Sequence, residues 1–226
     1  MFFPEKIKNI GKNDRVLEIG PGSHPFHRSD VLLELDYKTE EDRIKQFGHG
    51  EVLSSDKKVV FYDGSRFPFE DGSFDYIICS HVLEHVENVE LFLSEIFRVA
   101  KAGYFEYPLI TYDYLYNFDV HLNFLKFNGK DLLLMKKSTT ELNAFKPLQS
   151  FFLKTLENGY GDFLTRIPFY FFEGFEWNKP FKVINSKDLN DFINTEMVPL
   201  SGLSSQPSIK TSSKLLLNAI KNKIKR

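Results

Sequence analysis

Val16-Leu17-Glu18-Ile19-Gly20-Pro21-Gly22 decides the fold. An apolar run ending in closely spaced glycines reads as a buried strand feeding a tight turn, where a ligand can lie against bare backbone. The same texture repeats downstream. Apolar runs over 31–35, 59–62, 74–79 and 104–107 alternate with polar or helical stretches, and with 15–19 they predict the strands of a mostly parallel α/β sheet. The clearest helix covers 89–100, where Val89, Phe92, Leu93, Ile96, Phe97 and Ala100 recur at three- and four-residue steps while Glu90, Ser94, Glu95 and Arg98 face the other way. Asn88 suits its N-cap and Gly103 its stop.

Acids cluster where strands end. Glu34 and Asp36 share one face at the end of the second strand, where a carboxylate can accept both hydroxyls of a ribose. Asp63-Gly64 closes the third strand, an acid able to accept from an adenine amino group beside a glycine that keeps the approach open. The alternative for each is a solvated acid at a strand end. A dinucleotide site would want a third glycine at position 25, for close helix–strand packing, and Pro25 stands there instead.

Then come Phe67-Pro68-Phe69-Glu70-Asp71-Gly72-Ser73-Phe74-Asp75-Tyr76 and Ser80-His81-Val82-Leu83-Glu84-His85-Val86. Over residues 13–108 the order and spacing of these motifs resemble the class I S-adenosylmethionine (SAM)-dependent methyltransferases of the broad type 11 kind. The resemblance implies a Rossmann-like fold with SAM as cofactor and S-adenosylhomocysteine as product. It implies Glu18, Gly20 and Gly22 around the methionine moiety, Asp36 at the ribose, Asp63 and Gly64 at the adenine, and Ser80 and His81 lining the pocket. SAM has no pyrophosphate, so Pro25 costs such a site little. Only eight residues separate Gly22 from Val31, which leaves room for one or two helical turns at most. In that shortened loop, in YFEYP over 104–108 and in a later histidine ahead of a hairpin, the chain is similar to a bacterial methyltransferase group often encoded among genes for surface glycans.

The acceptor side needs a base if the nucleophile is a hydroxyl, and histidine titrates in the right range. His121, at the start of the expected hairpin, is the favoured base, with His85 next. His81 and His85 share a face if helical. Hydrogen bonding to local backbone is the competing role for His85. His24, His27 and His49 read as loop residues. His81, Glu84, His85 and His121 could also form a metal cluster, although the expectation is that no metal is held. Should no histidine act as base, Asp113 and Asp119 come next.

The second half has another texture. Segments 120–127 and 131–136 flank Asn128-Gly129, suited to a two-residue hairpin turn. A short helix is expected over 148–156, strands over 166–175 and 181–184, a Ser/Pro/Gly linker over 199–213, and an amphipathic helix over 213–224. The organisation predicted is a Rossmann-like core over 1–140 with an antiparallel hairpin, an aromatic-rich acceptor-side extension over 141–198, and a linker and tail over 199–226. Phe169, Tyr170, Phe171, Phe172, Phe175 and Trp177 serve as core or as an acceptor wall.

Composition bounds the partners. A hydrophobic content of 42% excludes a mainly disordered chain. The net charge of −2, with no basic groove in view, argues against nucleic acid. Lys210, Lys214, Lys221, Lys223, Lys225 and Arg226 gather in an acid-free tail interleaved with Leu215, Leu216, Leu217, Ile220 and Ile224, a pattern suited to an anionic membrane surface or a dimer contact. The lone Cys79 fits a reducing cytoplasm. The function expected is O-methylation of a small acceptor, a sugar or nucleotide-sugar in glycan assembly. A small aromatic or lipid-like acceptor and a SAM-binding regulator are the alternatives.

Overall fold

The structure is a computed structural model that describes residues 1–37, 39, 41, 44, 55–193 and 209–224. His49, most of the expected linker and the last two residues of the tail lie outside these. Six strands form the central sheet: β1 (Val16–Ile19), β2 (Val31–Leu35), β3 (Lys58–Tyr62), β4 (Phe74–Ser80), β5 (Ala100–Pro108) and, later in the chain, Phe172–Trp177. Their spatial order is β3-β2-β1-β4-β5 followed by the Phe172–Trp177 strand. The first five pair in parallel and the last runs antiparallel to β5, with Phe105 opposite Phe175. All four residues of β1 are buried, as a central strand covered on both faces requires. Strand order reverses on either side of β1, and a doubly wound sheet binds ligands at such a switch point.

Helix α1 (Val89–Val99) covers one face, burying Phe92, Leu93, Ile96 and Val99 against Leu17, Ile19, Leu33 and Phe105. Asn88 caps it as expected, its side chain accepting from Leu91 N at 3.0 Å. Gly103 does not end the helix, because β5 begins directly at Ala100. A Cβ at Gly103 would lie 2.5 Å from Ile77 O and 2.9 Å from Trp177 Nε1, so close strand packing is what requires glycine here. Arg98 does not face solvent alone. It bonds Glu95, Asp71 and the carbonyls of Phe67 and Phe69, pinning the 67–71 loop to the helix. On the opposite face Val16, Tyr76, Ile78 and Tyr104 meet Ile7, Ile10 and Phe26, so the N-terminal segment stands where a helix would otherwise lie. Between β1 and β2 there are only turns, in agreement with the short spacing.

After β5 come α2 (Ile110–Tyr116), β6 (Asn123–Phe127), β7 (Leu132–Lys136), α3 (Lys146–Thr155), α4 (Asp162–Arg166), β8 (Phe172–Trp177), β9 (Val183–Asn185) and α5 (Ile209–Ile224). The hairpin β6–β7 does not join the central sheet. With β9 it forms a separate three-stranded sheet whose Leu125, Leu132 and Leu134 enter the same core. Its loop is also longer than Asn128-Gly129 alone. Phe127 pairs with Leu132, and Asn128 Oδ1 accepts from Lys130 N and Asp131 N, an Asx-type closure that competes with the two-residue turn. The strand expected over 166–175 is instead the end of α4, a single 3-10 turn and β8, because Pro168 cannot donate within a ladder. The terminal helix starts at Ile209, four residues before the expected point. Among the described residues no helix is long and apolar enough to cross a membrane.

Candidate active site

Two cavities meet at the carboxyl edge of the sheet. One, of about 270 Å³, is lined by Gly20, Glu34, Tyr37, Gly64, His81 and His85 among others. The other, of about 400 Å³, is lined by Glu18, Gly20, Pro21, His24, Phe26 and Ser80. Gly20 borders both. It has φ +60°, and a Cβ there would sit 2.7 Å from Val82 Cγ2, so neither backbone nor space admits a side chain. Glu18, buried, accepts from Phe26 N at 2.8 Å and Ser29 Oγ at 2.7 Å, tying the 22–29 loop to β1. Burial raises its pKa, and these two hydrogen bonds only partly oppose the rise.

The acids at strand ends are not placed alike. Glu34 is buried and lies on the wall of the first cavity, whereas Asp36 is exposed and is not among the lining residues. Asp63 also stands outside the lining. Its carboxylate accepts from Ser65 N and Oγ, which lowers its pKa, while the adjacent Gly64 lines the cavity.

Past β4 the chain turns sharply. His81 adopts φ +58°, uncommon for a residue with a side chain, and is held there by its N–H to Glu106 O at 2.8 Å. Its Nε2 meets Glu106 Oε1 at 3.0 Å and its Nδ1 lies 3.5 Å from Glu84 Oε1. Burial alone would lower the His81 pKa, but Glu106 and Glu84 outweigh it and raise it to about 9. Glu106 is fully buried and accepts from Phe2 N, Phe3 N, Ser80 Oγ and Tyr104 OH. An acid inside the otherwise apolar YFEYP strand was the signal available for it, since buried carboxylates persist only when paired.

The turn Leu83–His85 is stitched to the segment before β6. Leu122 N donates to Glu84 O at 2.7 Å, and Asn123 Nδ2 donates to Leu83 O at 3.0 Å and Val86 O at 2.7 Å. That stitching places the ring of His121 4.9 Å from the ring of His85. His121 is 8% exposed, and its Nδ1 bonds Asp113 Oδ2 at 2.8 Å. The other oxygen of Asp113 takes Lys137 Nζ at 2.8 Å. His85 Nδ1 bonds Val120 O at 3.0 Å, and burial holds its pKa below the ordinary histidine value. Asp113 therefore orients His121, a role the sequence did not assign to it, and Lys137 carries no signal in sequence at all. Asp119 is exposed and paired with Lys146. Of the aromatic block, Phe172 reaches the site, 5.3 Å from His81 and 5.0 Å from Tyr112, while Trp177 is core.

A protein-family model described as a methyltransferase domain matches residues 17–105. Over those residues the chain is similar to a methyltransferase domain. The chain is similar to ajmaline N-methyltransferase of Rauvolfia serpentina, 28% identical over 45% of this chain and 36% of that protein. It is also similar to the sterol 24-C-methyltransferase of Schizosaccharomyces pombe, 44% identical over 21% of this chain and 13% of that one. The chain thus matches about a third or less of the length of these relatives. Among solved structures, a SAM-dependent methyltransferase from Thermotoga maritima, a possible histamine N-methyltransferase, is 21% identical over 47% of this chain and 49% of that one, with a TM-score of 0.32. SAM is the cofactor of such domains, and the side-chain-free cradle at Gly20 beside a buried carboxylate at Glu34 fits it.

Proposed function

We propose that the whole chain methylates a hydroxyl of a small acceptor, a sugar or nucleotide-sugar in glycan assembly, at the junction of the donor cavity with the His85–His121 pair. The observation that carries this reading is the buried Asp113–His121 pair beside His85, itself on the donor wall. When bound, SAM supplies a methyl group on a positively charged sulfur. Gly20, Gly22, Gly64, Glu18, Glu34, Ser80 and His81 would hold it, and Asp36 and Asp63 would contribute from the rim. Asp113 keeps the Nδ1 proton of His121 in place, which leaves the Nε2 lone pair to take the hydroxyl proton. Burial keeps His85 neutral beside it, so a second lone pair faces the same space. The grouping of polar side chains here suits a hydroxyl-rich acceptor, in line with the glycan-cluster resemblance. The test is incubation with labelled SAM and a panel of nucleotide-sugars, with products read by mass spectrometry. Label in a sugar supports the reading, and turnover of amines or aromatics alone removes it.

A third cavity, of about 490 Å³ and wholly apolar, is lined by Ile110, Tyr114, Leu115, Ile167, Tyr170 and Phe171 among others. It favours, as a second reading, a small aromatic or lipid-like acceptor, which the same assay tests with such compounds in the panel. Donor binding with no turnover across the panel would point to a SAM-binding regulator.

A further inference from the structure

We propose that Glu84, His85 and His121 form a binding site for one divalent cation of the zinc or manganese class. The proposal shares with the preceding reading only the placement of this cluster on the acceptor side. One potential ligand atom from each residue lies within 4.8 Å of the others. The tautomers follow from the hydrogen bonds. Val120 O can only accept, so His85 carries its proton on Nδ1. Asp113 takes Lys137 Nζ on one oxygen and accepts from His121 on the other, so His121 likewise carries its proton on Nδ1. The Nε2 lone pair of each ring is then free of these hydrogen bonds, and that of His85 lies 3.7 Å from Glu84 Oε1.

Three electron-pair donors converging in a buried space repel one another unless a positive charge sits between them. His81 partly supplies one, through Glu84 Oε1. Among the described residues Glu84 Oε2 has no hydrogen-bond partner, and Glu84 is 1% exposed. A buried carboxylate oxygen left unsatisfied is costly, and a cation removes that cost. The surroundings match what metal sites need. Each imidazole donates its other N–H to an acceptor, one a carboxylate and one a backbone carbonyl, which is how metal-ligating histidines are oriented. Two nitrogens and one oxygen suit zinc, manganese or iron better than calcium or magnesium, and three protein ligands leave a coordination position open. At metal–ligand distances of about 2.1 Å, ligand atoms sit roughly 3.4 Å apart, close to the Glu84–His85 separation. A bound ion would occupy the Nε2 of His121 and would act as a Lewis acid on a ligand at its open position. Base and ligand are alternative uses of the same nitrogen.

The test reads binding rather than turnover. Full-length protein stripped with chelator is titrated with Mn²⁺ and with Zn²⁺ by calorimetry, and Mn²⁺ loading is followed by electron paramagnetic resonance. One site per chain is expected. Glu84→Gln, which keeps shape and volume, and His85→Ala should each weaken it at least tenfold. Asp113→Asn, which leaves all three ligands in place, should weaken it about 10-fold or more through His121 alone. Circular dichroism establishes that each variant is folded. No stoichiometric binding by the wild-type chain, or equal binding by folded Glu84→Gln and His85→Ala, overturns the site. A chain that binds the ion and methylates no sugar supports the site and removes only the acceptor reading.

Discussion

The donor side and the acceptor side of the cleft are built in opposite ways. On the donor side Gly20, Glu34 and Gly64 sit at or next to the ends of parallel strands, so they are placed by sheet register and by contacts close in sequence. On the acceptor side the critical groups come from a turn at 83–85, a helix at Asp113, a loop at His121 and a 3-10 turn at Lys137, held together by hydrogen bonds between residues 8 to 40 apart. A sheet edge tolerates change in its neighbours because the backbone ladder fixes it. A hydrogen-bonded junction does not, since each buried polar group depends on its partner.

The comparison breaks most visibly at His121. His121→Ala is expected to lower kcat by about 10²–10⁴-fold while SAM affinity measured by calorimetry stays within about twofold. His85→Ala should fall less. Parallel losses of SAM affinity and kcat in His121→Ala would mean that the two sides are one structural unit and not two.

Gly20→Ala probes the opposite side. The positive φ costs an L-residue roughly 1–2 kcal/mol, and the Cβ contact with Val82 adds to it. SAM affinity should fall by about tenfold or more, with the histidine pair intact. Combining it with Val82→Ala should recover part of the loss, since the clash is removed and the strain is not. Full recovery would show that space alone sets the requirement for glycine.

The same asymmetry governs what could be read from sequence. All five parallel strands, α1 with its Asn88 cap and the glycine turn were legible, because period and punctuation are local properties. Gly103 was misread as a helix stop because its real constraint, Ile77 O and Trp177, comes from strands distant in sequence. Asn128-Gly129 was misread because Asn128 could close a longer loop with its own side chain. On the acceptor side residue types pointed to His121 and His85, but nothing local announced that Asp113 and Lys137 would complete the group. Arg98 shows the limit of helical periodicity, which assigns a face and says nothing about a loop that folds back onto it.

Glu34 and Asp36 sharpen the donor side further. Two residues apart on β2 and beyond, they are equivalent in sequence, yet only Glu34 lies on the cavity wall. Glu34→Gln should weaken SAM binding by about 1–2 kcal/mol, the scale of a hydrogen bond to a charged group. Asp36→Asn should change it by less than about 0.5 kcal/mol. The reverse order in calorimetry would return the ribose contact to Asp36.

The smallest effect is expected from the tail. No residue of helix α5 lines the cavities described above, and its Lys214 side chain lies beside Gly159, where a Cβ would stand 3.4 Å from it. Leu216 and Leu217 are 63% and 58% exposed, so the helix contributes little burial to the fold. Removing residues 209–226 should therefore leave kcat and SAM affinity within about twofold, because none of the side chains on the donor wall or at the histidine junction is touched. If the exposed leucines and the basic residues meet an anionic bilayer, co-sedimentation with phosphatidylserine vesicles should fall on truncation, and for the full chain should fall as salt rises. Equal sedimentation of both forms would remove the membrane role, and a large loss of kcat in solution would mean that the acceptor side extends to α5.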